Sequence, residues 1–440
     1  MISDRQLPEI PAYHDEEHSL PLLHEPNLAS KVIFGNNDTE PVHGWFRFKE
    51  GFSAGLLPEL LTRMEPELGS DFRMLDPFCG AGTTLLSAQE LSAKGFQIAA
   101  TGIERNPFIS FVARTKVQWR KICTTELLER GAEALHRSTE VRVALPELSS
   151  IKEGRCISVH NAERILSILE SIDRNDVTAD SLRLGVASSI ELLSRVRKDG
   201  RALRIVDKPR RSVARAIKQK WEGIKSDCET LAKRSMGSEA ATIICGDGRN
   251  PLQYGFGKSS FDLIFTSPPY PNNIDYTEVY KLELWLMQFV KTSQGFLDLR
   301  HSTFSSHPTY KKDAVIPEDF VRELQKGGAL NRVLGVLLDR MSQSPEAWRA
   351  RLLTAYFADM WISISNFYSL LRKGGSAVLV VGNSLHGTSD IAFLVPTDLV
   401  LARIAEFHGF TVQSISIARG LKRRLSGNHF LRESVLVLKK

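Results

Sequence analysis

Four consecutive residues, Ser267-Pro268-Pro269-Tyr270, terminate a short apolar run that begins Phe261-Asp262-Leu263-Ile264. Adjacent prolines stop a strand, because each lacks an N–H and fixes φ. One hydroxyl and one aromatic ring are therefore held stiffly at a predicted strand end. Three acids hold comparable places: Asp76 closes "FRMLD", Glu104 closes "IAATGIE" and Asp247 closes "ATIICGD". Each acid alone could cap a helix or brace a turn. Acids at three successive strand ends point instead to a shared ligand.

The turn "LDPFCGAGTT" (75–84) lies between a predicted strand and a predicted helix, where α/β sheets bind ligands. Gly80 and Gly82 let a ligand come close to the backbone. The turn lacks the Gly-Lys-Ser/Thr of a phosphate loop and the Gly-x-Gly-x-x-Gly of a dinucleotide site. A carboxylate at Asp76, facing the crevice, would repel a pyrophosphate and attract a cation. The ligand expected is nucleoside-like, positively charged and free of phosphate, which describes S-adenosyl-L-methionine. Glu104 is placed to accept from both ribose hydroxyls, and Asp247 from the adenine amino group.

Beside such a donor, the fourth strand end makes chemical sense. An exocyclic ring amine is a poor nucleophile, because its lone pair is delocalised. The Ser267 hydroxyl and the Pro268 carbonyl, accepting its two hydrogens, would pull the nitrogen toward tetrahedral and free that lone pair. Tyr270 offers a face for a base extruded from a duplex, with stacking of about 1–3 kcal/mol. The stiff turn aligns the reacting atoms.

The elements that must hold these residues read as a doubly wound sheet. Strand, glycine turn, helix ("TTLLSAQELSAKG") and strand follow one another from residue 72 to 104. Residues 120–235 then read as mostly helical. Strand signals return at 241–247 and 261–267, a polar helical tract runs from about 277 to 350, and helix, strand and helix follow over 355–410. Two last strands, "TVQSISIAR" and "ESVLVLKK", are expected to form a hairpin closing one sheet edge. The first forty residues read as a loosely ordered lead-in.

The 440 residues are 42% hydrophobic and 25% charged, an ordinary globular balance. No apolar run is long enough to span a bilayer, and the polar, acidic start has no apolar core of a secretory leader; a cytoplasmic location is expected. Five scattered cysteines form no Cys-x-x-Cys pair, and no histidine pair has ligand spacing, so no metal site is expected. Net charge is +6, and from Arg195 to Lys225 twelve Lys/Arg face three acids. That run is either a solvated helix face or a surface for phosphates.

The sequence resembles the amino-group DNA methyltransferases, which make N4-methylcytosine or N6-methyladenine. "DPFCGAGTT" resembles their cofactor motif and "TSPPY" their catalytic motif. "PNNIDYTEVYKLELW" (271–285) extends the likeness, and "WFRFKEGFS" (45–53) resembles the segment that closes over the methionine end of the cofactor. The resemblance implies a Rossmann-like α/β sheet with a C-terminal antiparallel hairpin, interrupted by helical insertions. The implied parts are a lead-in (1–41), a catalytic unit in three pieces (42–119, 236–285 and 351–440), a basic helical insertion (120–235) and a target-recognition insertion (286–350). It implies S-adenosyl-L-methionine held by Phe52, Asp76, Phe78, Gly80, Gly82, Thr83, Glu104 and Asp247, and catalysis by Ser267, Pro268, Pro269 and Tyr270. The implied partners are double-stranded DNA and a functionally paired restriction endonuclease, with no membrane. A catalytic motif opening with Ser favours cytosine N4 over adenine N6. C5-cytosine chemistry is disfavoured, because no Pro-Cys dipeptide supplies its nucleophile. A tRNA guanine-N2 methyltransferase is the further alternative, though too little chain precedes the first aromatic segment for its usual RNA-binding module. Target contacts are expected in 286–350, with "RHSTFSSHPTYKK" (300–312) as one candidate, and in the basic part of 195–225.

Overall fold

A computed structural model describes residue 7 and residues 9–48, 51–64, 72–173, 175–198, 203–233, 241–272, 274–308, 314–387, 391–421 and 428–440. Eight strands form one sheet: β1 (Leu22–His24), β2 (Phe72–Asp76), β3 (Ile98–Glu104), β4 (Thr242–Cys245), β5 (Phe261–Thr266), β6 (Leu371–Gly382), β7 (Thr411–Gly420) and β8 (Arg432–Lys439). Their spatial order is β1-β7-β8-β6-β5-β2-β3-β4. The run from β6 to β4 is parallel throughout. β8 is antiparallel to both β6 and β7. This is a Rossmann-like sheet with an antiparallel C-terminal pair, as the sequence predicts.

Its central strands are buried on both faces, so they read as unbroken apolar runs. In β6, Ala377 to Val381 are fully buried. Helix α1 (Thr83–Ser92) follows β2, and α2 (Pro107–Val117) follows β3. Asn106 caps α2, its side chain accepting from the N–H groups of Phe108 and Ile109, and Pro107 sits where a missing N–H costs nothing. α3 (Ala347–Leu370) and α4 (Thr397–Phe407) complete the wound unit. The helices Thr124–Arg137, Val159–Ser171, Val177–Leu193 and Val213–Ala232 share one continuous core with α1, α2 and one face of the sheet. The other face packs on α3 and α4.

Two expectations are corrected. The hairpin does not close the sheet edge: β8 inserts between β6 and β7, and β1 adds outside β7 in parallel. The described part of the lead-in is not loose either. Helix Ile10–His18 lies against the C-terminal part of the chain, and the buried Tyr13 hydroxyl donates to the Leu394 carbonyl at 3.0 Å. Its acids, part of what makes the segment read as a loose lead-in, meet partners about four hundred residues away. Glu16 pairs with Arg403, and Glu17 with Arg432.

Candidate active site

The carboxyl ends of β2, β3, β4, β5 and β6 surround one cavity of about 370 Å³. The sequence places glycine turn and Pro-Pro turn at separate strand ends; the structure joins them. Thr266, the last residue of β5, donates its hydroxyl to Asp76 at the end of β2, at 2.7 Å. The next residue is Ser267. The loops after β2 and β5 therefore open into the same space.

Of the expected cofactor set, Phe52, Phe78, Gly80, Glu104 and Asp247 line the cavity, and so do all four residues Ser267 to Tyr270. Asp76, Gly82 and Thr83 do not. Asp76 is buried, and its carboxylate accepts from the hydroxyls of Thr84 (2.6 Å) and Thr266 and from the N–H of Phe78 (3.1 Å). It clasps the two loops instead of facing the crevice, which corrects the sequence expectation. Gly82 has φ of +83°, and a Cβ there would meet the Cβ of Ala113 on α2 at 3.2 Å. Its glycine serves helix packing, and Thr83 is buried at the start of α1.

Gly80 serves the cavity directly. A Cβ there would meet the Phe48 ring at 2.8 Å, so its absence lets that ring form the wall. Phe48, Phe52, Phe78, Ile103 and Ile109 make the surface largely apolar. Glu104 supplies the charge. Its two oxygens accept from the N–H of Asn106 (2.7 Å) and of Gly80 (3.1 Å), and each keeps a lone pair. Burial pushes its carboxyl up to about 7, and that of Asp76 up to about 6; backbone and hydroxyl donors oppose the rise only in part. Asp247 is different. Both its oxygens face Arg249, at 2.6–3.1 Å, and Arg249 reaches on to Asp359 at 3.0 Å. These donors outweigh burial and hold the Asp247 carboxyl below its usual range.

At the other wall, Ser267 donates to the Val380 carbonyl at 3.1 Å, so its oxygen keeps free lone pairs for a donor in the cavity. The Tyr270 ring lies on Gly382, where a Cβ would approach it to 2.9 Å. Its hydroxyl donates to Glu433 (3.2 Å), which also accepts from Arg419 (2.6 Å). Glu433 and Arg419 also line the cavity, and sequence reasoning missed these two as site residues. An acid opening the apolar run "ESVLVLKK" was the available signal for Glu433, since such an acid needs a partner. Ser302, Thr303, Phe304, Ser306 and His307 of the expected target-contacting stretch line the cavity, and Ser305, Ser306 and His307 are buried. The part of that stretch from Thr309 to Lys312 lies outside the described residues.

The relatives are Type II methyltransferases. The chain is 28% identical to Type II methyltransferase M.AvaI from Nostoc sp. (strain PCC 7120 / SAG 25.82 / UTEX 2576), over 95% of its own length and 90% of that protein's. Type II methyltransferase M.BsoBI from Geobacillus stearothermophilus is 24% identical over 98% and 92% of the two lengths. No family model matches the chain. A solved structure, the rRNA methyltransferase aviRa from Streptomyces viridochromogenes, aligns with 94% of this chain and 96% of that one, at 11% identity and a TM-score of 0.31.

Proposed function

We propose that the protein is an S-adenosyl-L-methionine-dependent DNA methyltransferase of a restriction-modification system. Its target on this reading is an exocyclic amino nitrogen of an extruded base, cytosine N4 before adenine N6. The catalytic unit comprises residues 42–119, 236–285 and 351–440, and carries the insertions 120–235 and 286–350. The observation that carries the proposal is the Thr266–Asp76 bond, which fastens the glycine turn to the Ser267–Tyr270 turn around one cavity.

The cavity suits a cationic nucleoside. Its walls are apolar, its lining has no lysine among the described residues to hold a phosphate, and the arginines that line it, Arg105 and Arg419, are engaged with Ser302 and Glu433. Glu104 presents lone pairs where a ribose would lie, and the wall that Gly80 and Phe48 form together would bound the cofactor's methionine end. S-adenosyl-L-methionine, when bound, supplies an electrophilic methyl group. Phe52 and Phe78 exclude water from that end of the cavity. Ser267 and the Pro268 carbonyl accept the two hydrogens of the target amine and turn its lone pair toward the methyl donor. Pro269 holds these acceptors still, and Tyr270 carries the base on the ring face turned from Gly382. Asp247, already engaged with Arg249, has only its remaining lone pairs for the adenine amino group.

The test is incubation with labelled S-adenosyl-L-methionine and unmethylated DNA, followed by nucleoside mass spectrometry. N4-methylcytosine is the expected product. N6-methyladenine would transfer the assignment to adenine, and labelling of tRNA but not DNA would overturn the DNA reading. Ser267→Ala should lower turnover on the order of a hundredfold or more with cofactor affinity retained. Equal loss of both would make the turn scaffold.

A further inference from the structure

The basic run between Arg195 and Lys225 divides sharply in the fold. Lys198 points inward: it is buried, ion-paired with Glu283, and 4.3 Å from the ring centre of Tyr280. Lys208 is also inward-directed, donating to the carbonyls of Glu191 and Val196. These two lysines are structural. Arg195, Arg197, Arg210, Arg211, Arg215 and Lys218 are exposed, and none of them forms an ion pair among the described residues. Among the described residues of the run, the exposed acids are Asp207 and Glu222.

Arg197, Arg211, Arg215 and Lys218 lie on a platform of consecutive, interconnected elements. Val196–Lys198 and Leu203–Ile205 form a two-stranded antiparallel ribbon. Val196 and Lys198 are buried, so Arg197, between them, is on the outward face. Lys208 fastens the following segment to the ribbon. Arg211 precedes the cap residue Ser212, and Arg215 and Lys218 share one side of the helix that begins at Val213.

The platform stands next to the cavity. Tyr280, over which Lys198 lies, stacks on Phe48 with ring centres 5.6 Å apart and planes 10° apart, and Phe48 is a cavity wall. A pair of stacked rings therefore separates the root of the ribbon from the cavity. A solvated face would need no such placement. A duplex with one nucleotide extruded into the cavity carries its neighbouring phosphates at this rim, about one charge per 1.7 Å of helix axis.

We infer that the outward face of the ribbon, with Arg197, Arg211 and Arg215, grips the phosphate backbone of the duplex flanking the extruded base. This rests on the proposed DNA methylation. The lysines beneath set the position of the arginines and touch no DNA.

Fluorescence anisotropy of labelled unmethylated duplex, over a salt series, tests the inference with the variant Arg197→Gln/Arg211→Gln/Arg215→Gln. Expected are a loss of duplex affinity of about tenfold or more at low salt and a slope of log K against log salt shallower by roughly 2–3. Cofactor affinity and the unfolding midpoint should stay as in the unmodified protein. Lys94→Gln/Lys373→Gln, at the opposite ends of β3 and β6, should change neither affinity nor slope. Unaltered affinity and slope in the triple variant, with the unmodified protein still methylating the duplex, would overturn the platform and leave the enzyme assignment standing. Absence of duplex binding and methylation in the unmodified protein would remove the enzyme assignment, and the platform with it. Loss of tRNA binding but not duplex binding in the triple variant would also overturn it, in favour of RNA.

Discussion

Two groups of acids near the carboxyl edge of the sheet are treated in opposite ways. Glu104 at the cavity, and Asp76 behind it, are held by hydroxyls and backbone N–H groups, with no Lys or Arg paired to either among the described residues, and burial raises both carboxyls. In the second group, Asp398 and Glu17 meet Arg432. Asp398 accepts from its Nε at 2.7 Å and from Ser434 at 2.8 Å, and Arg432 with these donors holds the Asp398 carboxyl below its usual range despite complete burial. The second group is a closed ionic account; the first keeps negative charge in reserve. On the proposed function, Glu104, unpaired with any Lys or Arg among the described residues, is where the cationic ligand is expected.

The contrast can be broken by removing the supplied cation. Arg432→Met leaves two buried carboxylates uncompensated and should cost about 3–5 kcal/mol of stability in urea unfolding. A loss below about 1 kcal/mol would mean the second group is no more closed than the first.

The next effect belongs to the reserve. Glu104→Gln should weaken S-adenosyl-L-methionine about 10- to 100-fold at pH 8, the worth of hydrogen bonds to a charged group, with little change in unfolding. In the unmodified protein, calorimetry should show affinity falling about tenfold per pH unit below about 7, because the free carboxyl must first lose a proton. The Gln variant should flatten that profile; a variant that kept it would assign the titration to another group. The sign for the ligand-free fold is the reverse of the usual acidic case. Raised carboxyls contribute stability below about pH 4, and that contribution is lost as pH rises through about 6 and 7. A smaller change is expected at the cavity's far wall. Glu433→Gln keeps an acceptor for Tyr270 but loses the pairing with Arg419. It should raise KM for DNA by about threefold with cofactor affinity unaltered.

Much of the site could be read from the chain alone, and the reason is local. Apolar runs broken by "DPFCGAG" or "SPPY" can only be strands entering tight turns, and an acid closing such a run belongs at the sheet's carboxyl edge. What each side chain then does depends on distant partners. Nothing near Asp76 in sequence announces that Thr266 will turn its carboxylate away from the cavity. Gly82 reads as a ligand-facing glycine until Ala113 is packed against it. Charge counting failed in the same manner: twelve basic residues look alike, yet Glu283 and two carbonyls draw Lys198 and Lys208 inward. The N-terminal segment reads as a loose lead-in because Arg403 and Arg432, which pair with its acids, lie at the other end of the chain.

β1 is three residues long, yet it occupies the hydrogen-bonding edge of β7. A protein beginning after His24 would present that ten-residue strand bare, with unpaired amides and carbonyls offered to any neighbouring chain. Such a truncation should be recovered as soluble aggregates or inclusion bodies before any loss of catalysis could be measured, and expression designs need to keep the segment.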